Sequence, residues 1–284
     1  MNPEIAHRID AIRLDRVHGA SWLSREALAA LKLAAERSQA TSSDDFWAQI
    51  RGVAQELMAA RPAMASISNA VSRFVSDLSA KAEEDKDLDS LRGFARSRCD
   101  ELIKQSEQAA LKVAGIAAKM IADGERLMTC SYSSTVCQAL RVAEGEGKHF
   151  QVLVAESKFG GKAYGEFAAA ELQRYGIPAE LIPDNDIKQN MAVVSRVLVG
   201  ADSVLADGTV INGIPTYEAA LAAKECHIPF YSACETAKFS ARGQIESEPG
   251  FDRIPPDLVT GIITERGLIK PEEVIEYIGE MAQV

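Results

Sequence analysis

The chain has 284 residues, 47% of them hydrophobic and 25% charged, and 31 basic against 41 acidic residues give a formal charge of -10. Those proportions are those of an ordinary soluble globular protein with one large or two smaller domains. The acidic balance argues against a general surface for nucleic acid or anionic lipid and leaves open only a local basic pocket.

The opening MNPEIAHRIDAIRLD has no apolar core, and nowhere do eighteen apolar residues run together. No secretion signal and no membrane span are therefore expected, and a cytoplasmic location is the simplest expectation. Cys99, Cys130, Cys137, Cys226 and Cys234 are odd in number and lack CxxC spacing, which fits neither a disulfide framework nor a zinc site. Four scattered histidines add no metal motif, so neither a metal nor another cofactor is expected.

Residues 1–122 read as helices alone. Ser24 to Arg37 is rich in Ala and Leu, and the Ser-Ser-Asp-Asp run from Ser42 reads as a capped start for the next helix. Pro62 opens a further segment with Met64, Ile67, Val71 and Phe74 at three- and four-residue spacing, a stripe suited to packing in a bundle. Glu83 to Asp89 is a charged, solvated break, and Leu91 to Ile121 then reads as one long helix ending at Asp123-Gly124. The expected organisation is a helical N-terminal domain over 1–122 and an α/β domain over 123–284.

From Glu125 onward short apolar runs alternate with helix-length stretches. Arg126 to Cys130, Phe150 to Ala155, Ala179 to Ile182, Arg196 to Val199, Pro229 to Ala233 and Leu258 to Ile263 are predicted strands. Such alternation implies right-handed crossovers and a parallel sheet. No GxGxxG or GxxxxGK[ST] follows the first strand, which argues against a dinucleotide or P-loop site. That strand instead runs into Cys130-Ser131-Tyr132-Ser133-Ser134-Thr135. Hydroxyls and amides opening a helix suit a phosphate, and they equally suit a simple helix cap.

The organising stretch is Val197 to Thr216, where an apolar run stops at Gly200 and Asp202 follows at the strand tip. Asp207-Gly208 is a turn signal between short apolar runs, and Asn212-Gly213 precedes Pro215-Thr216 and a helix-like run. Ligands bind at the carboxyl ends of strands in open α/β sheets, so Asp202 is the first candidate for chemistry. Its plain alternative is to cap a turn or a helix start.

RPAMASISNAV (Arg61 to Val71), MTCSYSS (Met128 to Ser134), ESKFGGK (Glu156 to Lys162), VGADSVLADGTVINGIPT, AKECHIPFYSACETAKF (Ala223 to Phe239) and DLVTGIITERGLI (Asp257 to Ile269) carry a resemblance. In these segments the chain resembles the regulatory subunits of translation initiation factor 2B and their relatives, the methylthioribose-1-phosphate isomerases and archaeal ribose-1,5-bisphosphate isomerases. The resemblance implies a helical domain followed by a Rossmann-like parallel-sheet domain. It also implies a homodimer or higher homo-oligomer, and a strand-end pocket for a phosphorylated sugar or a nucleoside monophosphate. Ser133, Ser134, Lys158, Gly161, Lys162, Asn212, Gly213 and Lys238 are the ligand-binding residues it points to. Lys158, Lys162 and Lys238 are expected to serve one anion site, and the Thr236 to Phe239 and Ile263 to Gly267 segments are expected near the subunit contact.

Departures from the isomerase pattern fall on the chemistry. The isomerases carry a cysteine in a Thr-His-Cys motif and an aspartate in VGAD; the aspartate corresponds to Asp202, the cysteine to Ser131 and the histidine to Cys130. A serine hydroxyl is a far weaker acid than a thiol. Cys130 and Ser131 would also point to opposite faces if both continued the strand. The isomerases further carry Asn-Lys at Asn212-Gly213 and Arg-Pro at Lys158-Phe159, so a cation is missing. One expectation is a phosphosugar or nucleotide binder without efficient isomerase chemistry. The alternative is an aldose-ketose isomerase, an intramolecular oxidoreductase, using Asp202 with Ser131 or Cys130.

Overall fold

The computed structural model describes residues 1–15, 17–241 and 248–281, and the chain divides into two compact units, Met1–Gln108 and Ala109–Val284. The first is built from helices α1 (Pro3–Leu14), α2 (Ala20–Arg37), α3 (Ser43–Ala60), α4 (Ala65–Glu84) and the start of α5 (Leu88–Met120). Ser42 caps α3 by accepting from the Asp45 N–H at 3.2 Å. The helix anticipated from Pro62 begins instead at Ala65, because Arg61 to Met64 form a turn in which Met64 N donates to Arg61 O. Ile67, Val71, Phe74 and Leu78 form one fully buried face of α4.

The second unit opens with the remainder of α5. It continues through β1 (Arg126–Thr129), α6 (Ser134–Gly145), β2 (Gln151–Ala155), β3 (Lys158–Phe159), β4 (Lys162–Ala163), α7 (Tyr164–Arg174) and β5 (Ala179–Ile182). Then come α8 (Ile187–Asn190), β6 (Arg196–Val199), β7 (Ser203–Leu205), β8 (Val210–Gly213), α9 (Thr216–Glu225) and β9 (Phe230–Ala233). The chain closes with β10 (Phe239–Ser240), β11 (Phe251–Ile254), β12 (Gly261–Thr264), β13 (Gly267–Ile269) and α10 (Val274–Met281).

Seven strands form the main sheet in the order β13-β12-β9-β6-β1-β2-β5, all parallel except β13. Read over its six parallel strands, this is the doubly wound Rossmann order, which reverses direction between β1 and β6. Alternating side chains along the strands feed two cores. Leu127, Val152, Val154 and Leu198 pack with α5, α6 and α7, whereas Met128, Leu153, Val197 and Val199 pack with α9 and α10.

A second, four-stranded sheet in the order β10-β7-β8-β11 grows from the loop after β6. The Asp207-Gly208 turn anticipated there joins β7 to β8: Gly208 has φ +85°, and Asp207 Oδ1 accepts from Thr209 N at 2.9 Å.

Candidate functional site

The reversal of strand order opens a crevice at the carboxyl ends of β1 and β6. Ser131, Ser133 and Ser134 follow the first of these strands in the chain, and Gly200 and Asp202 follow the second. β1 stops at Thr129, one residue short of the predicted strand, because Ser131 takes the left-handed conformation at φ +61°. A non-glycine residue there is strained by about 1–3 kcal/mol and is held by its surroundings.

Those surroundings include the next strand end. Ser157, at φ +55° and fully buried, receives the Ser131 N–H on its Oγ at 2.7 Å. Asp184 in turn accepts from Ser157 N at 2.7 Å and from Lys158 N at 2.9 Å.

Ser131 Oγ is directed at Gly213. A Cβ on Gly213 would stand 2.6 Å from that oxygen and 3.2 Å from Ser131 Cβ, so the two residues fit only because one has no side chain. Gly200 relates to Ser133 in the same way, with a Cβ at 2.5 Å from Ser133 Oγ. Asn212 is buried beside them and donates from Nδ2 to Thr216 Oγ1 at 3.0 Å, and Thr216 Oγ1 donates to Gly213 O at 2.6 Å. Both glycines therefore permit a close approach of the β1 loop to the β6 and β8 ends.

Two helices begin at the crevice. Ser133 caps α6, accepting from Val136 N at 3.4 Å. At α9 the Tyr217 N–H is already taken by Asp252 Oδ2 at 2.9 Å. Burial raises the Asp252 carboxyl above its ordinary value although the Tyr217 amide opposes this. With a carboxylate on α9, the positive end of α6 is the better place for an incoming anion.

Asp202 is half-buried, and its N–H donates to Ile211 O at 2.8 Å, which fixes it at the root of the β7–β8 hairpin. Lys238 lies beneath it. This lysine is only 4% exposed, donates to Ala201 O at 2.8 Å and pairs with buried Glu235 at 3.4 Å. Burial alone would push its ammonium down, yet Glu235 and Asp202 more than compensate and hold it above the ordinary lysine value.

The lysines anticipated at one anion site have unlike surroundings. Lys158 and Lys162 are exposed on the β3–β4 hairpin, with Gly160 and Gly161 at positive φ in its tip, and Lys158 pairs with Glu156 at 2.7 Å. Lys238 instead has its charge matched inside the protein. Phe159, on the same hairpin, lays its ring against Gly250, where a Cβ would come within 2.7 Å, and Gly250 O accepts from Ile214 N at 3.0 Å.

Cys130 is fully enclosed by the core with Met128, Leu153 and Ala155, and burial drives its thiol well above the ordinary range. A thiol so placed is inert toward proton transfer near neutrality. Sequence reasoning missed Ser157, Asp184 and Glu235; the motifs ESKFGGK and ETAKF contain two of them, but nothing in a serine or glutamate marks it as a buried support.

Among the described residues no cluster of three or more His, Cys, Asp or Glu side chains is disposed to hold a metal ion, and no helix is long and apolar enough to cross a membrane.

Residues 16–249 match the Initiation factor 2 subunit family. The chain is 32% identical to the ribose 1,5-bisphosphate isomerase of Thermococcus kodakarensis, over 98% of this chain and 94% of that protein. It is also 32% identical to a putative translation initiation factor eIF-2B subunit 2-like protein of Pyrococcus horikoshii, over 93% and 96% of the two chains. The solved structure of the Pyrococcus horikoshii translation initiation factor eIF-2B superposes with a TM-score of 0.84 at 30% identity, covering 97% of this chain and 100% of that one.

Proposed function

The chain belongs to the Initiation factor 2 subunit family, and from that premise we propose that it binds a small phosphorylated ligand, a sugar phosphate or a nucleoside monophosphate, without efficient isomerase chemistry. The phosphate lies at the α6 end formed by Ser133 and Ser134, with Lys158, Gly161 and Lys162 of the hairpin supplying charge and backbone from the side. Asp202 accepts a hydrogen bond from a ligand hydroxyl, and Asn212 keeps the β8 end in place. Lys238 acts from beneath as the charge partner of Asp202 and Glu235. Cys130 has no part in binding.

One observation carries this reading: Ser131 Oγ fills the space above Gly213. At the two positions where the isomerase pattern has a thiol and an ammonium, this chain has a hydroxyl and no side chain. The remaining aspartate can orient a ligand, but the serine hydroxyl at the position of the thiol is a far weaker acid for passing a proton.

The full-length likeness to a ribose 1,5-bisphosphate isomerase favours a second reading, in which Asp202 moves a proton between neighbouring carbons and Ser131 serves the adjacent oxygen. Self-association through the sheet-bearing unit, with the Thr236 to Phe239 and Ile263 to Gly267 segments near the contact, accompanies either reading. Within one chain these segments already meet, as Thr236 N donates to Glu265 Oε2 at 2.9 Å.

Thermal shift against ribose 1,5-bisphosphate, methylthioribose 1-phosphate, AMP and GMP tests the binding claim. A true ligand at one hundred times its dissociation constant stabilises the fold by about 2.7 kcal/mol. No response to any of the four removes the proposal.

A further inference from the structure

We infer that Ser157 is a positioning residue for the crevice: its buried hydroxyl sets the direction of Ser131 and ties that loop to the β3–β4 hairpin through Asp184. The hydrogen-bond inventory fixes the roles. A serine hydroxyl has one proton to give. Ser157 Oγ gives it to Ala155 O at 3.2 Å, so toward Ser131 it acts as acceptor of the backbone N–H at 2.7 Å.

Both partners are in the left-handed region, Ser131 at φ +61° and Ser157 at φ +55°, on the ends of neighbouring parallel strands β1 and β2. Strain of this kind persists only where hydrogen bonds over-determine the backbone. Here the carboxylate of Asp184 does so by receiving two consecutive amides, Ser157 N at 2.7 Å and Lys158 N at 2.9 Å. The chain of contacts from Asp184 through Ser157 to Ser131 is closed to solvent at Ser157, which is 0% exposed. Its far end is the first residue of the hairpin that carries Lys158 and Lys162, and its near end is the hydroxyl lying over Gly213. Charge supplied by the hairpin and hydroxyls supplied by β1 are therefore held in one register by a residue that touches no ligand. The ligand arm of this inference rests on the binding function proposed above; the structural arm does not.

The test uses the full chain with Ser157→Gly, which keeps the left-handed backbone without strain and deletes the hydroxyl that accepts from Ser131 N and donates to Ala155 O, and Ser157→Ala as a second variant. Two readouts are taken: the amide signal and hydrogen exchange of Ser131 by NMR in the absence of ligand, and the affinity for ribose 1,5-bisphosphate. The inference predicts exchange of the Ser131 amide at least tenfold faster in Ser157→Gly, with a shifted amide resonance, while amides of the sheet away from Ser131 and Ser157 keep their wild-type exchange rates. It also predicts an affinity at least fivefold weaker wherever the wild type binds. Unchanged exchange at Ser131 overturns it, as does faster exchange with full wild-type affinity. If wild type binds no ribose 1,5-bisphosphate, the proposed ligand fails, and the Ser131 exchange rate alone decides the positioning role.

Discussion

Ser131 and Gly213 exclude each other's growth: a single carbon added to Gly213 would stand 2.6 Å from Ser131 Oγ. The pairing couples the β1 loop to the end of β8 by shape alone, so its energy is measurable as a double-mutant coupling. Gly213→Ala is expected to cost about 1–3 kcal/mol through overpacking. In a Ser131→Gly background, which removes both obstructing atoms, the same change is expected to cost at least about 1 kcal/mol less. Urea denaturation of the four proteins measures this; additive costs would mean that the two residues do not touch.

The buried pair Lys238 and Glu235 sets the next expectation. Lys238→Met removes the cation paired with Glu235, a carboxylate at 2% exposure, and is predicted to destabilise by about 3–5 kcal/mol. Glu235→Gln added to it should recover much of that loss. The pH dependence has a definite sign. Because Lys238 is held above the ordinary 10.5, the folded state retains its proton longer than the unfolded state. The stabilisation is therefore complete below pH about 10 and is lost as pH rises through the folded value, which equilibrium unfolding of wild type and of the double variant across alkaline pH will reveal.

Cysteine accessibility checks the exclusion of Cys130. Four of the thiols, Cys99, Cys130, Cys137 and Cys234, are buried, and Cys226 alone is exposed. Burial raises Cys99 and Cys234 to about 12. A disulfide reagent at pH 7.5 is expected to label Cys226 quickly and the other four only after denaturation. Rapid native labelling of Cys130, mapped by mass spectrometry, would return it to the list of working residues.

Much of the sheet was legible because a parallel strand buried on both faces leaves a short apolar run between helix-like stretches. Arg196 to Val199 matches its predicted bounds on this ground; Ala179 to Ile182 also matches, although it is an edge strand with Glu180 and Leu181 exposed, and the Asp207-Gly208 turn was equally plain. Strand order was not legible, since the switch between β1 and β6 depends on which side each helix packs. At the site, the cap role of Ser133 lay in its position before α6, and Asp202 in its place after a strand. The left-handed turns at Ser131 and Ser157 were hidden because serine has no marked preference for them. Lysine is ordinarily exposed, so nothing in ETAKF announced that Lys238 would be buried on Ala201 O. The close approach at Gly213 also bears on restoring the isomerase pattern: Ser131→Cys with Gly213→Lys would place a larger sulfur against a new side chain, and it is expected to destabilise rather than restore a site.

Asp202→Asn separates ligand orientation from folding. Asp202 is half-buried and its backbone N–H, which the change retains, anchors the hairpin. The variant is expected to keep its melting temperature within a few degrees while losing tenfold or more in affinity for whichever phosphorylated ligand binds wild type, as titration calorimetry will measure. An unaltered affinity would leave Asp202 with a structural role alone.

The most direct test of the account is to follow wild-type protein with ribose 1,5-bisphosphate, measuring binding by calorimetry and isomerisation by NMR of the sugar phosphate in the same samples. The account predicts saturable binding with no turnover approaching an enzyme-like rate, because Ser131 and Gly213 replace the thiol and the ammonium of the isomerase pattern. Conversion at about 1 per second or faster, abolished by Asp202→Asn, would contradict it and establish the isomerase reading.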